Sequence, residues 1–287
     1  MHKTILVTGA NGQLGSELKQ VLGLEKHKAF YTDIEELDIT NIENCRSFVI
    51  KNDIDTIINC AAYTAVDNAE EEPYKADLIN HIAVRNLAEV TKERNINIIH
   101  ISTDYVFPGT AFRPYSETDI TNPTGIYGKT KLQGENSITN KNINYVIIRT
   151  SWLYSSFGNN FVKTILRLSS ERDSLKVIYD QIGAPTYAAD LAKVIVSIIN
   201  SKTWHSGTYH FSNEGAISWY DFAQAIVDLT RLSTNIIPCR TEEYPTKAKR
   251  PFYSVLDKSK IKGQYGIEIP YWRESLAKCI KLLITTN

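Results

Sequence analysis

Short apolar, β-branched runs alternate along the chain with amphipathic stretches of helical length. Residues 4–7 (Thr-Ile-Leu-Val) precede a helix from about Gln13, residues 29–32 precede a helix over 42–51, and residues 56–59 precede a long helix over 75–94. A strand over 97–102, a helix through Tyr127 and a strand over 145–149 complete the series. Parallel neighbours need a crossover of helical length, so this alternation predicts a parallel sheet with helices on both faces. The expected fold class is α/β: a doubly wound, Rossmann-type sheet with a second, smaller substrate-binding unit. Beyond about Ser151 the regularity weakens, with loops expected at 155–159 and 238–251, a strand over 175–179 and a helix over 191–200. This divides the chain into a dinucleotide-binding unit over 1–150, joined again by about 175–200, and a mainly substrate-binding unit over 151–287. No repeat, low-complexity segment or flexible linker separates them.

Composition narrows the partners. The 287 residues carry 32 Lys and Arg against 32 Asp and Glu, so no global field draws in nucleic acid or an anionic membrane, and an anionic ligand has to be held by local groups. Cys45, Cys60, Cys239 and Cys279 lie far apart without paired spacing, which points to a reducing compartment and no structural zinc. Cys60, inside an apolar run, reads as a small hydrophobe. The apolar stretch at 5–7 is too short for a secretory signal, and the one at 194–199 falls far below the roughly 18 residues of a membrane span. A cytoplasmic protein is expected. The six histidines show no metal-ligand spacing and there is no Gly-x-Ser-x-Gly elbow, which disfavours zinc chemistry and hydrolysis. His100, on the strand that leads to Thr103, alternates away from it and reads as an interior histidine.

The chemistry begins at the first strand-to-helix turn, Gly9-Ala-Asn-Gly12-Gln-Leu-Gly15. Glycines at this place let the backbone approach a pyrophosphate, whose charge then rests on free N–H groups at the helix start. Gly9, Asn11, Gly12, Gln13, Leu14 and Gly15 are therefore candidate cofactor contacts. Asp33 closes the second strand, where a carboxylate accepts from the adenosine ribose and favours NADH; it equally suits a solvated aspartate in an acidic loop, so NADPH and NADH both stay open.

Tyr127 and Lys131 lie one turn apart on a helix that Asn122 and Pro123 are suited to start. A phenol is a poor acid at neutral pH unless a cation stabilises its phenolate, and the Lys131 ammonium is placed to do this. The strand over 97–102 ends in Ser102 and Thr103, and a hydroxyl at a strand's C-terminal end faces the crevice where open α/β sheets bind ligands. Thr103 is thereby a candidate to hold a substrate carbonyl.

Several longer motifs carry a resemblance. Thr8-Gly-Ala-Asn-Gly-Gln-Leu-Gly15, Asn59-Cys-Ala-Ala-Tyr-Thr-Ala-Val-Asp67, Ser102-Thr-Asp-Tyr-Val-Phe-Pro-Gly109, Tyr127-Gly-Lys-Thr-Lys131, Arg149-Thr-Ser-Trp152, Gly158-Asn-Asn-Phe161, Asp180-Gln-Ile-Gly-Ala-Pro-Thr186 and Arg250-Pro-Phe-Tyr-Ser254 span nearly the whole chain. It resembles the extended short-chain dehydrogenase/reductases, and among them the dTDP-4-dehydrorhamnose reductase family. The resemblance implies NADPH or NADH as cofactor, a nucleotide-sugar substrate, and Thr103, Tyr127 and Lys131 as the catalytic set, with Asn80 supporting the lysine through water. It further implies that Ala61, Ala62 and Tyr63 line the cofactor, Asp38 and Ile39 flank the adenine, Asp104 and Trp152 contact the sugar, and Arg250 pairs with the diphosphate. Some members of that family dimerise around a metal held by carboxylates. Here Ala189 takes one ligand position, Asp190 is displaced by one and Glu17 resembles another, so no metal is expected, and the chain is read as a monomer or weak homodimer. An epimerase or 4,6-dehydratase shares the triad, but dehydratases carry an acidic pair after the Ser/Thr whereas Tyr105 follows Asp104. A non-catalytic regulatory subunit shares the fold but has no need of a tyrosine beside a lysine.

Overall fold

The computed structural model describes residues 2–285. Its centre is a six-stranded, all-parallel sheet built from β1 (Thr4–Thr8), β2 (Lys28–Thr32), β3 (Thr56–Asn59), β4 (Asn97–Thr103), β5 (Asn144–Thr150) and, after a long interval, Gly207–His210. The spatial order is Gly207–His210, β5, β4, β3, β1, β2. The chain moves outward from β1 to β2 and then resumes on β1's other side, so the order reverses between β1 and β3. At such a switch point the loops following the strands diverge and leave a crevice.

Alternation within the strands sorts the two faces. Ile5 and Val7 of β1 join Ile58, Ile99, Val146 and Ile148 under α1 (Gln13–Leu22), while Leu6 joins Ile57, Ile98 and Ile147 under α2 (Ile42–Lys51) and α3 (Ala83–Arg94). Strands buried on both faces read as continuous apolar runs, which is why the sequence shows runs rather than strict alternation. The expected helix through Tyr127 is α4 (Ile126–Thr139).

Beyond Thr150 a second group of elements assembles. The expected strand at 175–179 is Ser174–Ile178, paired in parallel with Asn235–Cys239 in a separate small sheet. It packs with α5 (Phe161–Glu171), a helix over Ala188–Asn200 (α6) packs back on α1, α7 (Trp219–Thr230) covers the small sheet, and α8 (Trp272–Thr285) packs on α7.

Two local expectations are corrected. The long helix over 75–94 is interrupted: Pro73–Asp77 runs into a wide π turn at Leu78–Ile82 before α3 begins. Helix α4 does not start at Asn122 and Pro123. Its cap is Gly125, and its first N–H, from Ile126, is met by the distant Glu70 carboxylate at 2.8 Å. A cap supplied from 56 residues away leaves no local signature.

Candidate active site

The loops after β1, β3, β4 and β5 open into one cleft of about 870 Å³. At one end lies the turn 9–15. Gly9 has φ +65°, and a Cβ there would stand 2.6 Å from the Ala61 nitrogen; at Gly15 it would stand 2.5 Å from the Gly9 carbonyl oxygen. Side chains are thus excluded where the loop from β3 and the start of α1 converge. Helix α1 opens without a side-chain cap, which leaves its leading N–H groups for an anionic ligand. The residues fit a dinucleotide: Gly12, Gln13 and Leu14 line this end with Ala61 and Ala62, and Asp33, Asp38 and Ile39 line the pocket beyond. The Asp33 carboxylate accepts from the backbone N–H of Asn11 (3.2 Å) and Ile34 (2.9 Å). Asn11 itself is exposed and meets the site through this backbone contact. Tyr63 departs from expectation. Its backbone is clamped by Asn80, its phenol donates to Glu72, and its ring packs with Ala69 and Ala76 outside the cleft lining.

At the other end β4 delivers Thr103 and Asp104, and α4 delivers Tyr127 and Lys131; all four line the cleft. Thr103 Oγ1 donates to Asp104 Oδ1 (3.0 Å) and accepts from Tyr105 N–H (3.2 Å), which fixes its rotamer. It also stands in hydrogen-bonding reach of the Tyr127 phenol. Burial pushes that phenol up to about 12 against the opposing pull of Thr103. The expected lowering by Lys131 does not appear: its Nζ donates to the Ile101 carbonyl (2.6 Å) and lies 3.4 Å from His100 Nε2. Burial brings Lys131 down to about 8. Asp104 is pushed up to about 6, again by burial, and its Oδ2 has no hydrogen-bond partner among the described residues. Ser254 lies beside that carboxyl.

The remaining wall comes from the second group of elements. Trp152 sits at φ +47° with its indole stacked on Trp219, ring centroids 3.5 Å apart and planes 11° apart. Arg250 reaches the cleft but is already paired with Asp67 at 2.8 Å.

Comparison with known proteins adds an independent line. The family model described as the RmlD substrate binding domain matches residues 2–284. A dTDP-4-dehydrorhamnose reductase of Aggregatibacter actinomycetemcomitans is 43% identical over 283 residues, covering 95% of this chain and 96% of that protein. The crystal structure of a dTDP-4-dehydrorhamnose reductase from Clostridium acetobutylicum is 46% identical with a TM-score of 0.95, covering 98% of this chain and 99% of that one. The chain belongs to this family. A further member, from Bacillus anthracis and crystallised in complex with NADP, is 41% identical with a TM-score of 0.95 over 98% of this chain and 100% of that one.

Within the reductase family frame, several expectations from sequence meet a different geometry. Asn80 lies buried in the π turn, where its amide also bonds the Tyr63 backbone and Thr130 (Nδ2 to Oγ1, 3.2 Å). Cys60 follows β3 and lines the cleft instead of sitting within the strand, its thiol pushed up to about 12 by burial. His100 does alternate away from Thr103, yet the face it takes is the one α4 covers, so its ring meets Lys131. Among the described residues no three His, Cys, Asp or Glu side chains are grouped to hold a metal ion. Glu17 accepts from Ser155 (2.6 Å), and Asp190 accepts from Asn213 (3.0 Å) and Ser275 (2.5 Å), while Ala189 packs against the core of the second group. Trp219 is among the cleft residues that sequence reading missed. It is the first residue of α7, within the Ser218–Asp221 capping box, and nothing in that local pattern ties it to a site 67 residues earlier at Trp152.

Proposed function

We propose that this chain reduces the C4 keto group of dTDP-4-dehydro-L-rhamnose with NADPH or NADH, giving dTDP-L-rhamnose. The observation that carries the reading is the convergence of Thr103, Tyr127 and Lys131 at the end of a cleft whose other end has a glycine cradle fitted to a dinucleotide. When bound, the reduced nicotinamide supplies the hydride. Thr103, its hydroxyl held between Asp104 and Tyr105, orients the substrate carbonyl. Tyr127 provides the proton. With its phenol raised to about 12 it is fully protonated across the neutral range, and transfer to the far more basic alkoxide is still downhill. Lys131 fixes the cofactor ribose and stabilises the phenolate left behind. Asp104 and Trp152 border the sugar, and Arg250 offers its guanidinium to the diphosphate, a geometry suited to phosphate oxygens.

The naming of the relatives supports the sugar nucleotide, and the NADP complex of the Bacillus anthracis relative supports the cofactor class. No helix among the described residues is long and apolar enough to cross a membrane. A soluble cytoplasmic enzyme acting as a monomer or weak homodimer is the reading adopted. The test is oxidation of NADPH and NADH, followed by absorbance, with freshly generated dTDP-4-dehydro-L-rhamnose. Native protein should turn over and Tyr127→Phe should lose on the order of 10² to 10⁴ in kcat while still binding the dinucleotide. Dinucleotide binding without turnover would remove the substrate assignment and favour an epimerase or regulatory role.

A further inference from the structure

Beneath Lys131 runs a buried chain of hydrogen bonds whose direction can be worked out. The backbone N–H of Ala61 can only donate, and it donates to Asn59 Oδ1 at 3.2 Å; Thr8 Oγ1 donates to the same oxygen at 2.7 Å. The Asn59 amide is thereby oriented, and its Nδ2 donates to His100 Nδ1 at 3.0 Å. His100 is fully buried, and burial together with the nearby Lys131 drives its pKa well below the ordinary histidine range, so the ring is neutral. A neutral imidazole that accepts at Nδ1 carries its proton on Nε2. That Nε2–H points at Lys131 Nζ, 3.4 Å away.

An ammonium at Nζ has only donors to offer and meets a donor there. A neutral amine can accept from Nε2–H while donating to the Ile101 carbonyl at 2.6 Å. The other charged or titratable groups around Lys131 do not cancel this. Glu135, one turn along α4, favours the ammonium with its charge, less than burial opposes it, and its oxygens are held by Ser102 Oγ (2.5 Å) and the Arg149 guanidinium from β5 (2.7 Å). Cys60, at the end of β3, is a neutral thiol; Tyr127 on α4 is a neutral phenol, and Asp104 after β4 hydrogen-bonds to Thr103. Among the described residues Lys131 makes no ion pair.

We propose that His100, locked by Asn59 with its proton on Nε2, is a positioning residue that disfavours the ammonium form of Lys131 and so sets the alkaline limit of the reductase. This rests on the role assigned to Lys131 above, where the protonated amine stabilises the phenolate. Loss of that proton ends the stabilisation, so activity falls as pH rises through the lysine's own titration.

The test has one arm without substrate and one with it. In the first, two-bond ¹H–¹⁵N correlation spectra of the native protein should show one histidine, absent from the His100→Gln spectrum, with Nε2 protonated and Nδ1 bare from pH 6 to 9. A ring protonated on Nδ1, or an imidazolium, overturns the proposal whatever the substrate proves to be. In the second, the pH profile of kcat/KM for native enzyme should fall on the alkaline side near the Lys131 value of about 8. In His100→Gln, whose carbonyl can accept from the ammonium, that limb should move up by about one pH unit, a displacement that a merely structural role would not produce. An unmoved limb overturns the proposal. Should the sugar not be turned over at all, the function reading fails while the tautomer arm stands, and ε-¹³C-lysine titration of native protein and His100→Gln then supplies the Lys131 shift; equal titration midpoints overturn it.

Discussion

Asp104 shows how a single residue can couple the site to stability. Its folded pKa, raised by burial to about 6, stands above an unfolded value near 3.9, so the folded state holds the proton more tightly. Below about pH 4 both states are protonated and the group costs nothing; the penalty grows as pH rises to about 6 and is complete above it. We expect Asp104→Asn to raise unfolding free energy at pH 7 by roughly 2 kcal/mol and to leave it little changed at pH 4. Urea unfolding at the two pH values measures this. A loss of sugar affinity should accompany the gain, as is common where an unsatisfied polar group serves a ligand. The motif Ser102–Gly109 identified Asp104 as a contact, but not its burial or its neighbour Ser254, which comes from a segment about 150 residues later that no local pattern brings to it.

At the scale of elements, the π turn at Leu78–Ile82 widens the helix where α4 crosses it. The approach is close: a Cβ on Gly134 of α4 would lie 2.2 Å from the Asn80 carbonyl oxygen. Gly134→Ala has to push the two elements apart, and we expect a loss of about 1–3 kcal/mol with a lower kcat, because the same helix carries Tyr127 and Lys131. Thermal unfolding and steady-state kinetics check both. The sequence made α4 and the run over 75–94 visible through their periodicity. It did not show the π turn, where Asn80 is buried with its amide on the distant Tyr63 and Thr130, contacts that leave no local pattern. The start of α4 was hidden for a similar reason: Glu70 caps it from another element.

Over the whole molecule, the five strands up to Thr150 were legible as apolar runs; β1, β3, β4 and β5 are buried for most of their length, while β2, at the sheet edge, is only half-buried. The later elements were less so, since Gly207–His210 joins the sheet 57 residues after β5 ends and two-residue strands leave no periodicity. What the sheet and the second group share is the cleft, tied across by Gln13 to Asn160 (3.0 Å), Glu17 to Ser155 (2.6 Å) and Asp67 to Arg250 (2.8 Å). Of these, the last is the tie that a ligand would compete for. Arg250→Met should raise the Kd for dTDP roughly tenfold or more, as loss of a charge-assisted contact does, and leave dinucleotide affinity within about twofold. Isothermal titration with each ligand separates the two; equal weakening of both would place Arg250 in general packing.

The stacked pair Trp152 and Trp219 has one further consequence, an optical one. Two indoles stacked 3.5 Å apart with nearly parallel planes share their excited states, so their near-ultraviolet circular dichroism is that of a coupled pair and not of two separate rings. The other two tryptophans, Trp204 and Trp272, lie outside the cleft lining. Reduced nicotinamide absorbs where tryptophan emits, and a cleft walled by the coupled pair therefore carries its own fluorescent gauge of cofactor occupancy, readable without any label.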